Sequence, residues 1–131
     1  MDNELMVSQK NMVALLSQEA GLSEAIKPPS REIFLFDSYI AGTTHIEDES
    51  ILSEIKEGTK VIMRREDNRF DDNAILILDE KQRKLGYVPE KDNVVFARLM
   101  DAGKLLIGKV NKHVMKGSFH QIGIGIYLVD F

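Results

Sequence analysis

The stretch HQIGIGIYLV, residues 120–129, decides the fold class, because its large apolar residues fall on every second position. His120, the three isoleucines and Leu128 share one face, and this period of two predicts a β-strand with that face on a core. The opposite face carries two glycines, which favours a bend in a barrel wall or the close approach of another group to the backbone. We therefore expect the chain to end in the wall of a small β-barrel.

Upstream of this stretch, the sequence predicts five more strands. Short apolar runs, separated by polar or glycine-containing turns, indicate them. The first run, IFLF at residues 33–36, is apolar at every position and predicts a strand that is buried on both faces and ends near Gly42. The fifth strand directly precedes residue 120, and the three between them are predicted at 60–64, 74–78 and 84–88.

A helix is predicted over residues 89–102, between the fourth and fifth strands. Asp92 suits its N-cap, and Gly103 suits the position after its last turn. Its apolar stripe consists of Val95, Phe96, Leu99 and Met100. The pattern as a whole predicts a mainly β (α+β) domain, in which one helix packs at the side of a six-stranded barrel.

A second helix is predicted at residues 3–20, ahead of the β-rich part of the chain. Its apolar stripe consists of Leu5, Met12, Leu15 and Leu16. Gly21 ends it, and Pro28 and Pro29 indicate a linker because two prolines forbid a helix there. We divide the chain into an N-terminal helix and linker, residues 1–29, and a β-barrel domain, residues 30–131. The helix is expected to pack on the barrel or on a second copy of it.

The composition is that of one globular domain: 131 residues, 44% hydrophobic and 29% charged. The sequence has no cysteine, which excludes a disulfide framework and a thiolate zinc site. It also lacks the features of a signal peptide and any run of roughly 20 apolar residues that would span a membrane. We therefore expect a cytoplasmic protein without a membrane partner.

Charge is unevenly distributed along the chain, although the net charge is only −4. A weakly acidic protein argues against an unspecific, charge-driven coat on DNA. Acids dominate residues 37–57, whereas residues 102–129 contain no acid and four lysines, which are Lys104, Lys109, Lys112 and Lys116. The second segment is therefore able to form one basic face.

Motifs of catalysis and of metal binding are absent from the sequence. It contains no GxGxxG fingerprint, no P-loop and no GxSxG elbow. The three histidines, His45, His113 and His120, do not have the spacing of metal ligands. A small-molecule enzyme would rest on Asp71 and His45 alone, so we expect no enzyme activity, no metal and no cofactor.

The segment RREDNRFDDNAI, residues 64–75, stands out between two predicted strands. Four acids and three arginines are more than a solvated hairpin requires. Asp71 and Asn73 suit a tight turn, because such side chains bond to the local backbone, and they either only close the loop or also contact a ligand. Phe70 must enter the core or face a partner. Arg64 is most simply explained as an ion-pair partner of the loop acids.

This segment resembles the loop of the HIRAN domain family, which runs approximately R-E-P-D-N-P-Y-D-x-N-A-I. Phe70 stands for the family's tyrosine, and the matching residues are Arg64, Asp67, Asn68, Asp71, Asn73, Ala74 and Ile75. LGYVP at residues 85–89 is similar to a second family motif, L-G-Y-V-P. IAG at 40–42 and DAG at 101–103 resemble shorter family segments, and the resemblance extends over about residues 33–129.

The resemblance implies an OB-like barrel with helical insertions that grips the 3′ end of single-stranded DNA. In the family, aromatic rings stack on terminal bases, an aspartate accepts a hydrogen bond from the 3′-hydroxyl, and basic groups hold phosphates. By register, Phe70 would be a stacking ring and Asp71 the hydroxyl acceptor. Tyr87 stands where the family has a phosphate-contacting histidine, and Thr44 and His45 stand where it has an Arg–Tyr pair for phosphate and base.

Several positions depart from the family pattern. Thr44 has no positive charge, and His45 offers a smaller ring for stacking. Glu66 and Arg69 replace two prolines of the loop. The lost charge is expected to be replaced in part by Arg65, Arg69 and Lys84.

The predicted function is therefore a non-catalytic nucleic-acid-binding module for single-stranded DNA or DNA 3′ ends, acting by aromatic stacking and phosphate contacts. The alternative is a protein–protein interaction module with a degenerate DNA pocket. The net charge, the altered pocket and the N-terminal helix favour this alternative. A motor or nuclease activity would come from a partner ATPase or nuclease chain.

Overall fold

The structure is a computed structural model that describes residues 31–130. The helix expected at residues 3–20 and the linker after it lie outside the described residues. The division of the chain at residues 29 and 30 therefore stays a prediction.

The described residues form one antiparallel sheet with a helix between its fourth and fifth strands. The elements are β1 Arg31–Tyr39, β2 Lys60–Arg65, β3 Ile75–Leu78, β4 Lys84–Tyr87, α1 Glu90–Asp101, β5 Leu105–Lys116 and β6 Phe119–Asp130. Short 3-10 turns at Thr43–His45 and Glu49–Glu54 lie between β1 and β2. The order of strands in the sheet is β1-β6-β5-β2-β3-β4. This confirms the predicted mainly β fold with six strands and one packed helix.

The sheet is not closed into the predicted barrel. Its two edge strands, β1 and β4, form no continuous ladder with each other. They are linked by a single bridge beyond the end of β1, in which Ala41 and Tyr87 exchange two backbone hydrogen bonds of 2.8 and 2.9 Å. The bridge stays isolated because β4 has only four residues and the chain enters a 3-10 turn at Thr43.

The alternation in β6 is confirmed as the basis of the core. Ile122, Ile124 and Ile126 are fully buried and belong to the main apolar cluster. On the opposite face, the pairing of β5 with β6 shifts register around Asn111, as expected for a β-bulge. A Cβ at Gly123 would lie 2.7 Å from Asn111 Oδ1, so the glycine allows a close approach at the place where the hairpin bends.

The prediction that the first strand is buried on both faces is wrong. Phe34 in β1 is 52% exposed, and Ile33 and Phe36 are also exposed. The reason is the position of β1 at the edge of the sheet, where only β6 pairs with it. Among the residues of this run, Leu35 packs on the core, while the rings of Phe34 and Phe36 contact single aromatic neighbours.

The predicted helix is confirmed to within one residue at each end, and Gly103 ends it as expected. Gly103 has a φ of +91°, and its N–H donates to Met100 O at 2.9 Å, as in a Schellman motif. Two details of the prediction are wrong. The N-cap is Pro89, because the carboxylate of Asp92 instead accepts a hydrogen bond from Ser38 Oγ at 2.8 Å. Val95 is 64% exposed and lies outside the packed stripe.

Between residues 31 and 130, no helix has the length and apolar character needed to cross a membrane.

Candidate nucleic-acid interface

The loop between β2 and β3 is held in shape by Arg65, the last residue of β2. Its guanidinium donates to Ala74 O at 2.6 Å and to Asp72 O at 2.7 Å, so it spans the base of the loop. It also pairs with Asp101 at the end of α1, with Nε 2.9 Å from the carboxylate. Arg64, for which the sequence predicted an ion pair with the loop acids, is exposed, and the arginine that holds the loop is Arg65, through Asp101 of α1 and two loop carbonyls.

Asp71 closes the tip of this loop and connects it to the helix. Its Oδ1 accepts a hydrogen bond of 2.9 Å from the backbone N–H of Asn73, and its Oδ2 accepts one of 2.9 Å from Nδ2 of Asn93. Asn93 is buried in α1, and sequence reasoning missed it because the contact joins residues that are 22 positions apart. A carboxylate oxygen has two lone pairs, so each oxygen of Asp71 keeps one position for a ligand's hydrogen bond.

Phe70 projects from the loop into solvent. It is 83% exposed, so the alternative that it belongs to the core is wrong. Its backbone N–H is fixed by Asn68 Oδ1 at 2.8 Å, and the Arg69 guanidinium lies 5.0 Å from the centre of its ring. An apolar ring that is exposed on a rigidly bonded turn is a suitable stacking platform for a base.

Tyr87, at the end of β4, faces the same loop. Its hydroxyl lies 2.7 and 3.0 Å from the two carboxylate oxygens of Glu66, at the start of the loop. The Lys84 ammonium lies 3.2 Å from the same hydroxyl and 4.6 Å from the centre of the Tyr87 ring. Glu66, which occupies the place of a family proline, was not among the predicted site residues. The contact spans 21 positions and has no local sequence pattern.

A pocket of about 270 Å³ brings together three of the predicted site residues: Phe70, Asp71 and Tyr87. Gly42 and Glu90 also line it. The structure thus places the two family-like loop motifs, RREDNRFDDNAI and LGYVP, on one depression of the surface, as a shared binding site requires.

The remaining predicted site residues lie around this pocket rather than in it. His45, at the end of the first 3-10 turn, and Lys84 line a neighbouring cavity of about 580 Å³ together with Arg83. Thr44 is exposed beside His45. Arg65 lines a third depression of about 270 Å³, together with Glu66, Asp67, Asn68 and Asp72 of the loop.

The four lysines of the acid-free segment do not form a continuous basic track. Lys109 pairs with Glu32 of β1, which also bonds Lys60. The hydrogen bond from Lys109 holds the pKa of the Glu32 carboxyl below its ordinary value. β5 runs antiparallel to β2, so it begins near the β2–β3 loop and runs away from that loop. Lys112 and Lys116 therefore lie in the half of the β5–β6 hairpin that is far from the loop. Only Lys104, just before β5, lies at the loop end of the sheet.

Two of the three histidines meet across the β5–β6 hairpin. His113 Nε2 lies 2.8 Å from His120 Nδ1, and His113 Nδ1 lies 2.7 Å from Ile55 O. Between residues 31 and 130, no three histidine, cysteine, aspartate or glutamate side chains are grouped so that they could hold a metal ion. The histidine pair satisfies partly buried polar groups with each other and with a backbone carbonyl.

Comparison with known proteins supports the resemblance of the two loop motifs. The family model of the HIRAN domain matches residues 33–128. A crystal structure of a protein from Lactobacillus plantarum superposes with a TM-score of 0.71 at 26% identity, covering 79% of this chain and all of that one. The HIRAN domain of human HLTF superposes with a TM-score of 0.61 at 15% identity, covering 77% of this chain and 79% of that one, which shows the common fold. No curated protein shows significant similarity to the chain. Because the family match covers well over half of its length, the chain belongs to the HIRAN domain family.

Proposed function

We propose that this protein is a non-catalytic module that binds the 3′ end of single-stranded DNA. The observation that carries the proposal is the pocket in which the exposed ring of Phe70 lies beside the Asp71 carboxylate and the ring of Tyr87. Membership of the HIRAN family, whose domains bind DNA, supports it. In this proposal, a motor or nuclease activity at the same DNA end belongs to a partner chain.

The aromatic ring, the carboxylate and the nearby cations have separate tasks in the proposed complex. The Phe70 ring stacks on the terminal base, an interaction worth about 1–3 kcal/mol that tolerates any base. The free lone pairs of Asp71 accept the hydrogen bond of a 3′-hydroxyl, while Asn93 and Asn73 hold the carboxylate in place. Lys84 and Arg69, both exposed next to the aromatic rings, contact the phosphates that follow the terminal nucleoside.

A second candidate function is binding of a basic segment of another protein. The acidic residues of this region favour it: the exposed Glu90 lines the pocket with Phe70, Asp67 is exposed in the same loop, and Glu66 offsets the charge of Lys84. Such a ligand would place a cation near these carboxylates and an apolar side chain on Phe70.

The test of the proposed function compares two short oligothymidylates that differ only at their 3′ end. The strand with a free 3′-hydroxyl is expected to bind about ten-fold tighter than the strand with a 3′-phosphate, because a carboxylate accepts from a hydroxyl and repels a phosphate. Fluorescence anisotropy at fixed salt measures both affinities. Equal binding of the two strands would remove end recognition, and no binding of either at low salt would leave the protein-interaction candidate.

The contribution of Lys84 is tested by the dependence of affinity on salt. Replacing one phosphate-contacting lysine should reduce the slope of log K against log salt by about 0.7 for a single strand. We expect this change for Lys84→Gln. Lys109→Gln is the matched control and should leave the slope unaltered, because Lys109 is engaged with Glu32 on another part of the sheet. Equal slopes for Lys84→Gln and the unmodified protein would exclude a phosphate contact at Lys84.

A further inference from the structure

The hydroxyl of Tyr87 has no proton left for a ligand. A phenol carries one proton, and both oxygens of Glu66 lie within 3.0 Å of the Tyr87 oxygen, so this proton is donated to the carboxylate. The Lys84 ammonium at 3.2 Å donates to the same oxygen. A phosphate that approached Tyr87 would therefore find no free donor on the phenol, and the Glu66 carboxylate would offset the attraction of the Lys84 ammonium beside it.

The Glu66 carboxylate is held in this place by its own contacts. Asn68 Nδ2 donates to its Oε1 at 3.2 Å, and the Glu66 backbone N–H donates to Ala74 O at 3.1 Å, which continues the pairing of β2 with β3 by one residue. The side chain is only partly exposed. Glu66 does not line the pocket itself, but its carboxylate is hydrogen-bonded to two side chains that do, Tyr87 and Asn68.

The polar side chains that line the pocket offer mainly acceptors. Asp71 and Glu90 are carboxylates, and Asn68 donates one of its two amide hydrogens to Glu66, which leaves one for a ligand. Hydroxyl and amino groups can donate to such a lining, whereas a phosphate carries negative charge and acceptor oxygens. The two carboxylates of the lining therefore favour an unphosphorylated nucleoside.

We propose that Glu66 is the specificity-determining residue that keeps phosphate out of this pocket. By occupying the Tyr87 hydroxyl and placing a carboxylate beside it, Glu66 restricts the pocket to a terminal nucleoside with free hydroxyls. The phosphates of the strand stay outside, near Lys84 and Arg69. This inference rests on the proposed function, and it assigns the rejection of phosphate to Glu66 in addition to Asp71.

The test is a gain of binding in Glu66→Gln and Glu66→Ala. Both variants remove the charge, and the alanine also frees the Tyr87 hydroxyl to donate. We expect the affinity for an oligothymidylate with a 3′-phosphate to rise by about ten-fold in both variants, since the loss of the carboxylate removes its repulsion of the phosphate. The affinity for the strand with a 3′-hydroxyl should change much less, and thermal melting shows whether each variant is folded.

Glu80→Gln is the matched control, because Glu80 is an exposed acid in the turn between β3 and β4. It changes the net charge by the same amount and should leave both affinities unaltered. An equal gain in Glu80→Gln would show a general charge effect and overturn the inference, as would unchanged rejection of the 3′-phosphate in both folded Glu66 variants. If the unmodified protein binds neither strand, it is the proposed function itself that is refuted.

Discussion

Phe70→Ala is expected to weaken binding of single-stranded DNA by about 1–3 kcal/mol, which is the value of one base stacked on an aromatic ring. The melting temperature should stay nearly the same, because a side chain that is 83% exposed contributes little to the core. The salt slope should also stay the same, since the ring carries no charge. Anisotropy titrations and thermal melts of the same preparation measure these three quantities.

Two other phenylalanines serve as controls for this prediction. Phe119, at the start of β6, is 43% exposed and far from the loop end of β2, so Phe119→Ala should leave DNA binding unaltered. Phe96 lies on the buried face of α1, and Phe96→Ala should lower the free energy of unfolding by about 3–5 kcal/mol. If Phe70→Ala behaves like Phe96→Ala, the ring has a structural role and the stacking site does not exist.

Gly86→Ala is expected to lower the free energy of unfolding by about 3 kcal/mol or more. A Cβ at this position would lie 2.3 Å from the carbonyl oxygen of Ala41 and 2.6 Å from Cγ2 of Ile40. The first neighbour is backbone and belongs to the bridge that links the two edges of the sheet, so it cannot move aside without breaking that bridge. Chemical denaturation gives the free energy of unfolding for this variant.

The control for Gly86 is Gly117→Ala in the turn between β5 and β6. Nothing lies within 4 Å of a Cβ built there, although Gly117 has a φ of +64°. The cost should therefore be only the conformational one of about 1–2 kcal/mol. Similar losses for the two variants would mean that the contact between Gly86 and Ala41 is not tight in solution. Because Tyr87 follows Gly86 directly, DNA binding should fall together with stability in Gly86→Ala.

Much of the fold was predictable because its patterns are local. The period of two in residues 120–129 comes from a strand with one buried face, and the structure has β6 there with its isoleucines in the core. The helix was equally recognisable, since its apolar positions and Gly103 follow from backbone geometry within a few residues. The exposure of β1 was not predictable, because an apolar run has the same appearance in a central and an edge strand.

The candidate site was predictable only in part. The two loop motifs identified Phe70, Asp71 and Tyr87, which the structure brings to one pocket, and their roles in binding stay predictions. The partners that orient these residues were missed. Asn93 on Asp71 and Glu66 on Tyr87 are contacts between elements, for which no spacing along the chain is characteristic.

The sequence by itself determined the class of the fold, the positions of most of its strands and its main helix, and the family. These depend on periodicity, on turn residues and on motifs, all of which act within about a dozen residues. The tertiary structure alone decided which polar side chains pair with each other. Arg65 forms an ion pair with Asp101 and Lys109 forms one with Glu32, while the hydroxyl of Tyr87 donates a hydrogen bond to Glu66. Charge interactions act through space at contact distance, so the packing of the sheet, and not the order of residues, selects which partners meet.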